Sequence, residues 1–358
     1  MTKRPVQRTA RRVALLLAST VLAIGVAEVL VRWRGLAPEV VHVQKGRYQL
    51  SDNPLIGYEP TPGFSAPEKD ATWFAYDFFD YRSAETNALG FRDAEHDLSS
   101  SPGSKRVVVL GDSIAVGLGI DSLEDIFPEV ARRRLQEEGQ TWEFINQAVV
   151  GYNTQQEVEA FVEKGLQYQP DVVLVAYCLN DRAGRSDGWL MGALLHEATL
   201  TNASDPLFSD ALLRASTLLR FVRYRLLVPS AMAMEAHSNE RRQLISEDRV
   251  SEYLEKLANL SVIHDFEVLL VVFPFYGDPD LYGDLQTYDF EGEHAAVIEE
   301  AQALGMSTLD LLPDFQACER ERGGILARDQ VHPNLAGHAC AGAAIARQLT
   351  ELPGGLRP

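Results

Sequence analysis

Apolar residues along this chain fall into one long run and a series of short ones. The long run, VALLLASTVLAIGVAEVLV at residues 13–31, is interrupted by a single charged residue, Glu28. The short runs are RVVVLG (106–111), WEFINQ (142–147), DVVLVAY (171–177), EVLLVVFPF (267–275) and MSTLDL (306–311). These are too short for helices and rich in β-branched residues, so they predict strands; near-continuous apolarity marks strands buried on both faces. Helical spacing fills the intervals. It predicts a helix over 122–139, with Ser122 as cap, Gly139 as stop and Pro128 bending or delaying its start. Further helices are predicted over 154–168, capped by Asn153 or Thr154, over about 248–263 and 292–304, and over 333–352 with Pro333 at the first helical position. Strands alternating with helices predict an α/β fold, a three-layer sandwich around a five-stranded, mostly parallel sheet.

Two regions depart from that alternation. Residues 35–104 are rich in turn residues and read as an extended, loop-rich lead-in. Residues 183–247 follow the third strand and hold the apolar stretches WLMGALLHEATL and ALLRASTLLRFVRYRLLVPSAMAM. This insertion is expected to be helical. Ligands of such sheets bind at the carboxyl ends of the strands, where the insertion begins. It reads either as extra packing on the sheet or as a lid or wall facing the substrate.

The long run changes the picture of where the chain resides. As a helix it would be roughly 28 Å long, close to the thickness of a bilayer core. Residues 1–12 form a basic tail with Lys3, Arg4, Arg8, Arg11 and Arg12, which favours a cytoplasmic N-terminus. Residues 13–31 therefore read as a single-pass anchor; a cleaved secretory signal, with Gly25 and Ala27 near the cut, and a buried soluble helix are the alternatives. The anchor and signal readings both put the body outside the membrane, periplasmic or extracellular, or secreted. The formal net charge is −18, but the first 34 residues carry a +6 excess, which leaves −24 on the rest. Such an acidic body repels phosphate backbones and argues against nucleic-acid partners. Cys178, Cys318 and Cys340 show no metal spacing. Pairing of Cys318 with Cys340 and burial of free thiols are both open.

Candidate chemistry collects at the strand ends. GDSIAVG (111–117) closes the first core strand on Ser113, where a turn into a helix aims backbone N–H groups at the strand edge. The fuller G-x-S-x-G elbow is absent, because Ala115 stands where its second glycine would be. A serine hydroxyl needs an imidazole to take its proton, and the imidazole needs an acceptor on its other nitrogen. DQVHPN supplies both, with Asp329 three residues before His332. His338 reads as packing or surface, and the other six histidines show no comparable pairing in the sequence. Stabilising an oxyanion needs convergent donors. The candidates are the amide of Ser113, the amide of Gly151 in VVGYN and the side chain of Asn180 in CLND, each following a neighbouring strand.

Those four blocks, GDSIAVG, NQAVVGYNT, CLND and DQVHPNLAGH, together resemble the SGNH, or GDSL-type, hydrolase superfamily over residues 105–352. PLIGYEPTPG and NALGFRD are similar to segments ahead of the core in membrane-anchored bacterial members. The resemblance implies a flavodoxin-like fold, with Ser113 as nucleophile, His332 as general base and then acid, and Asp329 as its orienting partner. It implies an oxyanion hole of Ser113, Gly151 and Asn180, and no metal or organic cofactor. The third block usually begins with glycine; here Cys178 takes that position. The expected activity is ester hydrolysis on an acylated small molecule, lipid or glycan. O-acetyl transfer onto a glycan and a non-catalytic binding role are the alternatives.

Overall fold

The computed structural model describes residues 3–37, 47–65, 85–182, 192, 194, 195, 208–227, 240–276 and 285–352. The sheet at its centre has five strands, β3 (Lys105–Gly111), β4 (Trp142–Asn146), β5 (Val172–Tyr177), β6 (Glu267–Val272) and β7 (Ser307–Asp310), in the order β4-β3-β5-β6-β7. All pairings are parallel. Two shorter strands, β1 (Tyr48–Leu50) and β2 (Tyr58–Pro60), form an antiparallel hairpin in the lead-in.

Alternation along each strand explains why the apolar runs are continuous. Val107, Val109, Phe144, Leu174 and Leu269 point to one face; Val108, Leu110, Ile145, Val173 and Leu270 point to the other. The first face is covered by α3 (Phe127–Glu137), α10 (Leu312–Arg322) and α11 (Leu335–Glu351), through Phe127, Phe315 and Ile345. The second is covered by α4 (Thr154–Ala160), α8 (Val250–His264) and α9 (Glu291–Ala303), through Val158, Leu254 and Val297. Burying each of these larger apolar side chains contributes about 1.5–3 kcal/mol relative to exposure.

Several boundaries differ from the expectations. Ser122 caps a tight turn, Leu123–Asp125, and α3 begins only at Phe127, with Pro128 in its first turn. The helix expected over 154–168 is regular only to Ala160. It then widens over Phe161–Gly165 and tightens over Leu166–Tyr168, and Gly165 packs so closely that a side chain there would run into the Phe161 ring and Gln147. Pro333 does not open the last helix. Asn334 caps it by accepting from the Ala336 and Gly337 amides, while Pro333 pairs with Ala327 in an isolated bridge. Strand β6 stops at Val272 rather than at residue 275, since Phe275 and Tyr276 turn away to other partners. α10 has no counterpart in the expectations.

Outside the sheet, α1 (Lys3–Trp33) contains one apolar stretch, Thr9–Trp33, long enough to cross a membrane, exposed over most of its length but with Val31 buried near its end. The described parts of the insertion include α5 (Asp210–Ala215), α6 (Thr217–Phe221), a wide turn over Val222–Leu227, and α7 (Glu240–Ser246). Much of the WLMGALLHEATL stretch, and residues 228–239, lie outside the described residues.

Candidate active site

Ser113 opens a four-residue helix, α2 (Ser113–Val116), at the carboxyl end of β3. Gly111 is required just before it for space rather than for a turn: a Cβ there would sit 2.8 Å from Ala115 and 3.1 Å from Ala176. Its backbone is not in the left-handed region, so the turn itself does not require glycine at 111. Gly117 is the residue that needs that region, with φ +74° at the end of α2, and a side chain there would strike Ile126. Asp112 caps α2 by accepting from the Ile114 amide at 2.8 Å.

Three distant loops meet this turn. The Ser113 hydroxyl lies 2.7 Å from His332 Nε2, and His332 Nδ1 lies 2.8 and 2.9 Å from the two oxygens of Asp329. A consistent proton assignment has Oγ–H donating to Nε2 and Nδ1–H donating to the carboxylate. Asp329 Oδ1 also accepts from the Val331 and His332 amides. Burial alone would raise this carboxyl, but its bonds to His332 and the two amides outweigh that and hold it at about 2. Ser113 and His332 are both buried.

The second loop follows β4. The Val149 amide donates to the Gly111 carbonyl at 3.0 Å, and Asn146 Nδ2 donates to the Ala115 carbonyl at 2.8 Å. These bonds hold the turn that carries Gly151, at φ +78°, beside α2. Asn153 then caps α4 in a reciprocal box with Gln156. The third loop follows β5, where Leu179–Asp181 forms a tight turn and Asn180 Nδ2 donates to Asp112 Oδ2 at 2.7 Å. Cys178, ahead of that turn, is a fully buried free thiol that burial pushes well up, so it remains protonated and unreactive. Ser113, His332 and Asp329 thus join one hydrogen-bonded chain, Asn180 is held beside it through Asp112, and Gly151 sits in the adjoining turn. Among the described residues, no group of three or more His, Cys, Asp or Glu side chains is arranged to hold a metal ion.

Residues 109–340 match the GDSL-like lipase/acylhydrolase family. The chain belongs to that family. It is an ester hydrolase of the SGNH type, and its five-stranded parallel sheet between helical layers is the fold expected of one. No curated protein matches this GDSL hydrolase. Among solved structures it is similar to the acetyl xylan esterase AlAXEase, at 18% identity and TM-score 0.41 over 68% of this chain and 99% of the other. It is also similar to a lipase/acylhydrolase from Enterococcus faecalis, at 16% identity and TM-score 0.39 over 69% and 96%. A third is the psychrotrophic esterase EstA from Pseudoalteromonas sp., at 12% identity and TM-score 0.39 over 69% and 97%.

The hydrolase also carries supports that the four blocks do not announce. Arg92, from the NALGFRD segment, donates to the carbonyls of Val116, Gly117, Ile120 and Asp121 and clamps the end of α2. Tyr58 donates to the Val150 carbonyl while Tyr152 donates back to the Tyr58 carbonyl, tying the lead-in to the Gly151 turn. Tyr276 donates its amide to the Gln330 carbonyl, bracing the His332 loop. The histidines need a correction too. His294 is bonded to Asp310 at 2.8 Å and to Tyr288 at 2.8 Å, and His96 lies between Asp93 and Glu143. Asp310 lies 16 residues from His294 and Glu143 lies 47 from His96, so no local spacing betrays them; Tyr288 and Asp93, six and three residues before their histidines, are near in sequence. His338 is buried and accepts from the Phe127 amide, a packing role.

Proposed function

We propose that this chain is an exported, membrane-anchored serine esterase that removes an acyl or acetyl group through a Ser113 acyl-enzyme. The observation that carries the reading is the continuous contact from Ser113 Oγ through His332 to Asp329. In this mechanism Ser113 attacks the ester carbonyl as His332 Nε2 takes its proton, and Asp329 holds the imidazole by Nδ1. The carbonyl oxygen becomes negative and is met by the amides of Ser113 and Gly151 and the Asn180 side chain. His332 returns the proton to the leaving alcohol, and water, activated by the same imidazole, releases the acid. The substrate class is an acylated small molecule, lipid or glycan.

Two features support export. α1 has the length and apolarity of a membrane span behind a basic tail, and Cys318 is disulfide-bonded to Cys340, a state that persists in oxidising compartments. The test is a fluorophosphonate probe followed by turnover on a chain-length series of p-nitrophenyl esters. The expected result is one label, on Ser113, with labelling and turnover both lost in Ser113→Ala. Turnover retained in Ser113→Ala would overturn the acyl-enzyme. Product analysis with a sugar acceptor present then separates release to water from transfer.

A further inference from the structure

The insertion segment 210–227 has a composition opposite to that of the body it belongs to. It carries Arg214, Arg220, Arg223 and Arg225 against one acid, Asp210, on a chain whose residues beyond 34 sum to −24. It is also rich in leucine, and Leu212, Leu226 and Leu227 are 43%, 48% and 42% exposed. A basic helical segment with uncovered leucines suits the surface of an anionic bilayer, where arginines meet phosphates and leucines enter the boundary with the acyl chains.

Its attachment gives the same answer independently. Ser216 Oγ and the amides of Thr217 and Leu218 all donate to the Glu28 carboxylate of α1, at 2.7, 2.8 and 2.9 Å. Glu28 is thereby the acceptor for the opening turn of α6. It lies five residues before Trp33, which is 73% exposed and lies under the Arg34 guanidinium, an aromatic and a cation of the kind that mark a membrane interface. Five residues of helix rise roughly 7.5 Å, so with Trp33 among the headgroups Glu28 reaches the edge of the hydrocarbon. The segment bonded to Glu28 therefore starts at the depth of the interface.

We propose that residues 210–227 lie on an anionic phospholipid surface as a second membrane contact, seated against α1 through Glu28. The proposal rests on the reading of α1 as a membrane span. It commits the insertion to the lipid, and its far end connects back to the site: the Leu244 and Ile245 carbonyls of α7 accept from Gln155 and Asn153 next to the Gly151 turn.

The test uses the full chain reconstituted into vesicles of phosphatidylglycerol and phosphatidylcholine bearing nitroxide-labelled acyl chains. Bimane is attached at Leu212→Cys or Leu226→Cys, with Leu16→Cys in α1 as the positive control and the exposed Glu299→Cys on α9 as the negative one. Native thiols do not compete, since Cys178 is buried and the other two are bonded. Turnover of a water-soluble acetyl ester checks that each variant is folded. Probes at 212 and 226 are expected to be quenched as strongly as the one at 16, and the double variant Arg223→Gln/Arg225→Gln to lose more than about half of that quenching at 226. Quenching at 16 with none at 212 and 226 would overturn the proposal and leave the anchor standing. No quenching at 16 would remove the anchor and the proposal together.

Discussion

The Asn180 side-chain amide has two hydrogens, and one of them is committed to Asp112. That bond fixes the amide plane, so the second hydrogen has a defined direction, which suits a donor that must meet charge only as it develops. Burial raises the Asp112 carboxyl, while the bonds from Asn180 and the Ile114 amide oppose that. Asn180→Ala is expected to lower kcat on the order of 100-fold or more, with an unchanged unfolding midpoint. A loss confined to stability would assign Asn180 to the fold. His96 gives a prediction of another kind. Burial opposes its charge, yet Asp93 and Glu143 lift the imidazolium to about 9. A folded value above the ordinary 6.5 means the contribution is fully present below about 6.5 and fades as pH rises through about 9. Urea midpoints of wild type and His96→Gln should therefore differ near neutrality and converge in alkali. A gap that widens with pH would reverse the assignment.

At the scale of elements, β3, β4 and β5 are legible in the sequence because both their faces are buried, which leaves no polar alternation to confuse them with helices. The short blocks at their ends are legible for a related reason: Asp329 and His332 meet across three residues, and Ser113 and Asn180 each sit one turn beyond a strand. What escapes the sequence is set by distant packing. α10 reads as polar because its burial rests on few side chains, among them Leu312 and Phe315. Gly165 lies in the widened turn after Ala160, where only the fold shows that Phe161 and Gln147 leave no room for a side chain. Arg92 looks like an ordinary surface arginine until its four carbonyl acceptors are seen. Those carbonyls close α2 and the turn after it, so the helix that Ser113 opens depends on a planar, multiply donating group. Arg92→Lys is expected to cost roughly 1–3 kcal/mol in denaturant unfolding, because one ammonium cannot satisfy all four acceptors, three of them in buried bonds, and to lower turnover as well. Wild-type stability in the lysine variant would show that charge alone suffices.

At the scale of the whole molecule, the Cys318–Cys340 disulfide joins α10 to α11 and encloses the loop that carries Asp329 and His332. Two effects are conceivable, and they separate. Closing a loop of 22 residues restricts the unfolded chain and stabilises the fold by about 3 kcal/mol. Positioning the loop would instead change catalysis directly. The loop has its own local restraints: the Arg328 amide donates to the His332 carbonyl at 2.8 Å, and the Asn334 amide to the Leu326 carbonyl at 2.7 Å. Asp329 further accepts from two amides within the same turn. With the acid and imidazole fixed by bonds inside the loop, the bridge is left to act mainly on the unfolded state. Cys318→Ser/Cys340→Ser is therefore expected to keep wild-type turnover at about 25 °C while its calorimetric midpoint falls by several degrees. The same drop should follow when the wild type is reduced, and the double variant should be insensitive to reductant. A variant that keeps its midpoint but loses turnover would mean that the bridge, not the local hydrogen bonds, holds His332 against Ser113.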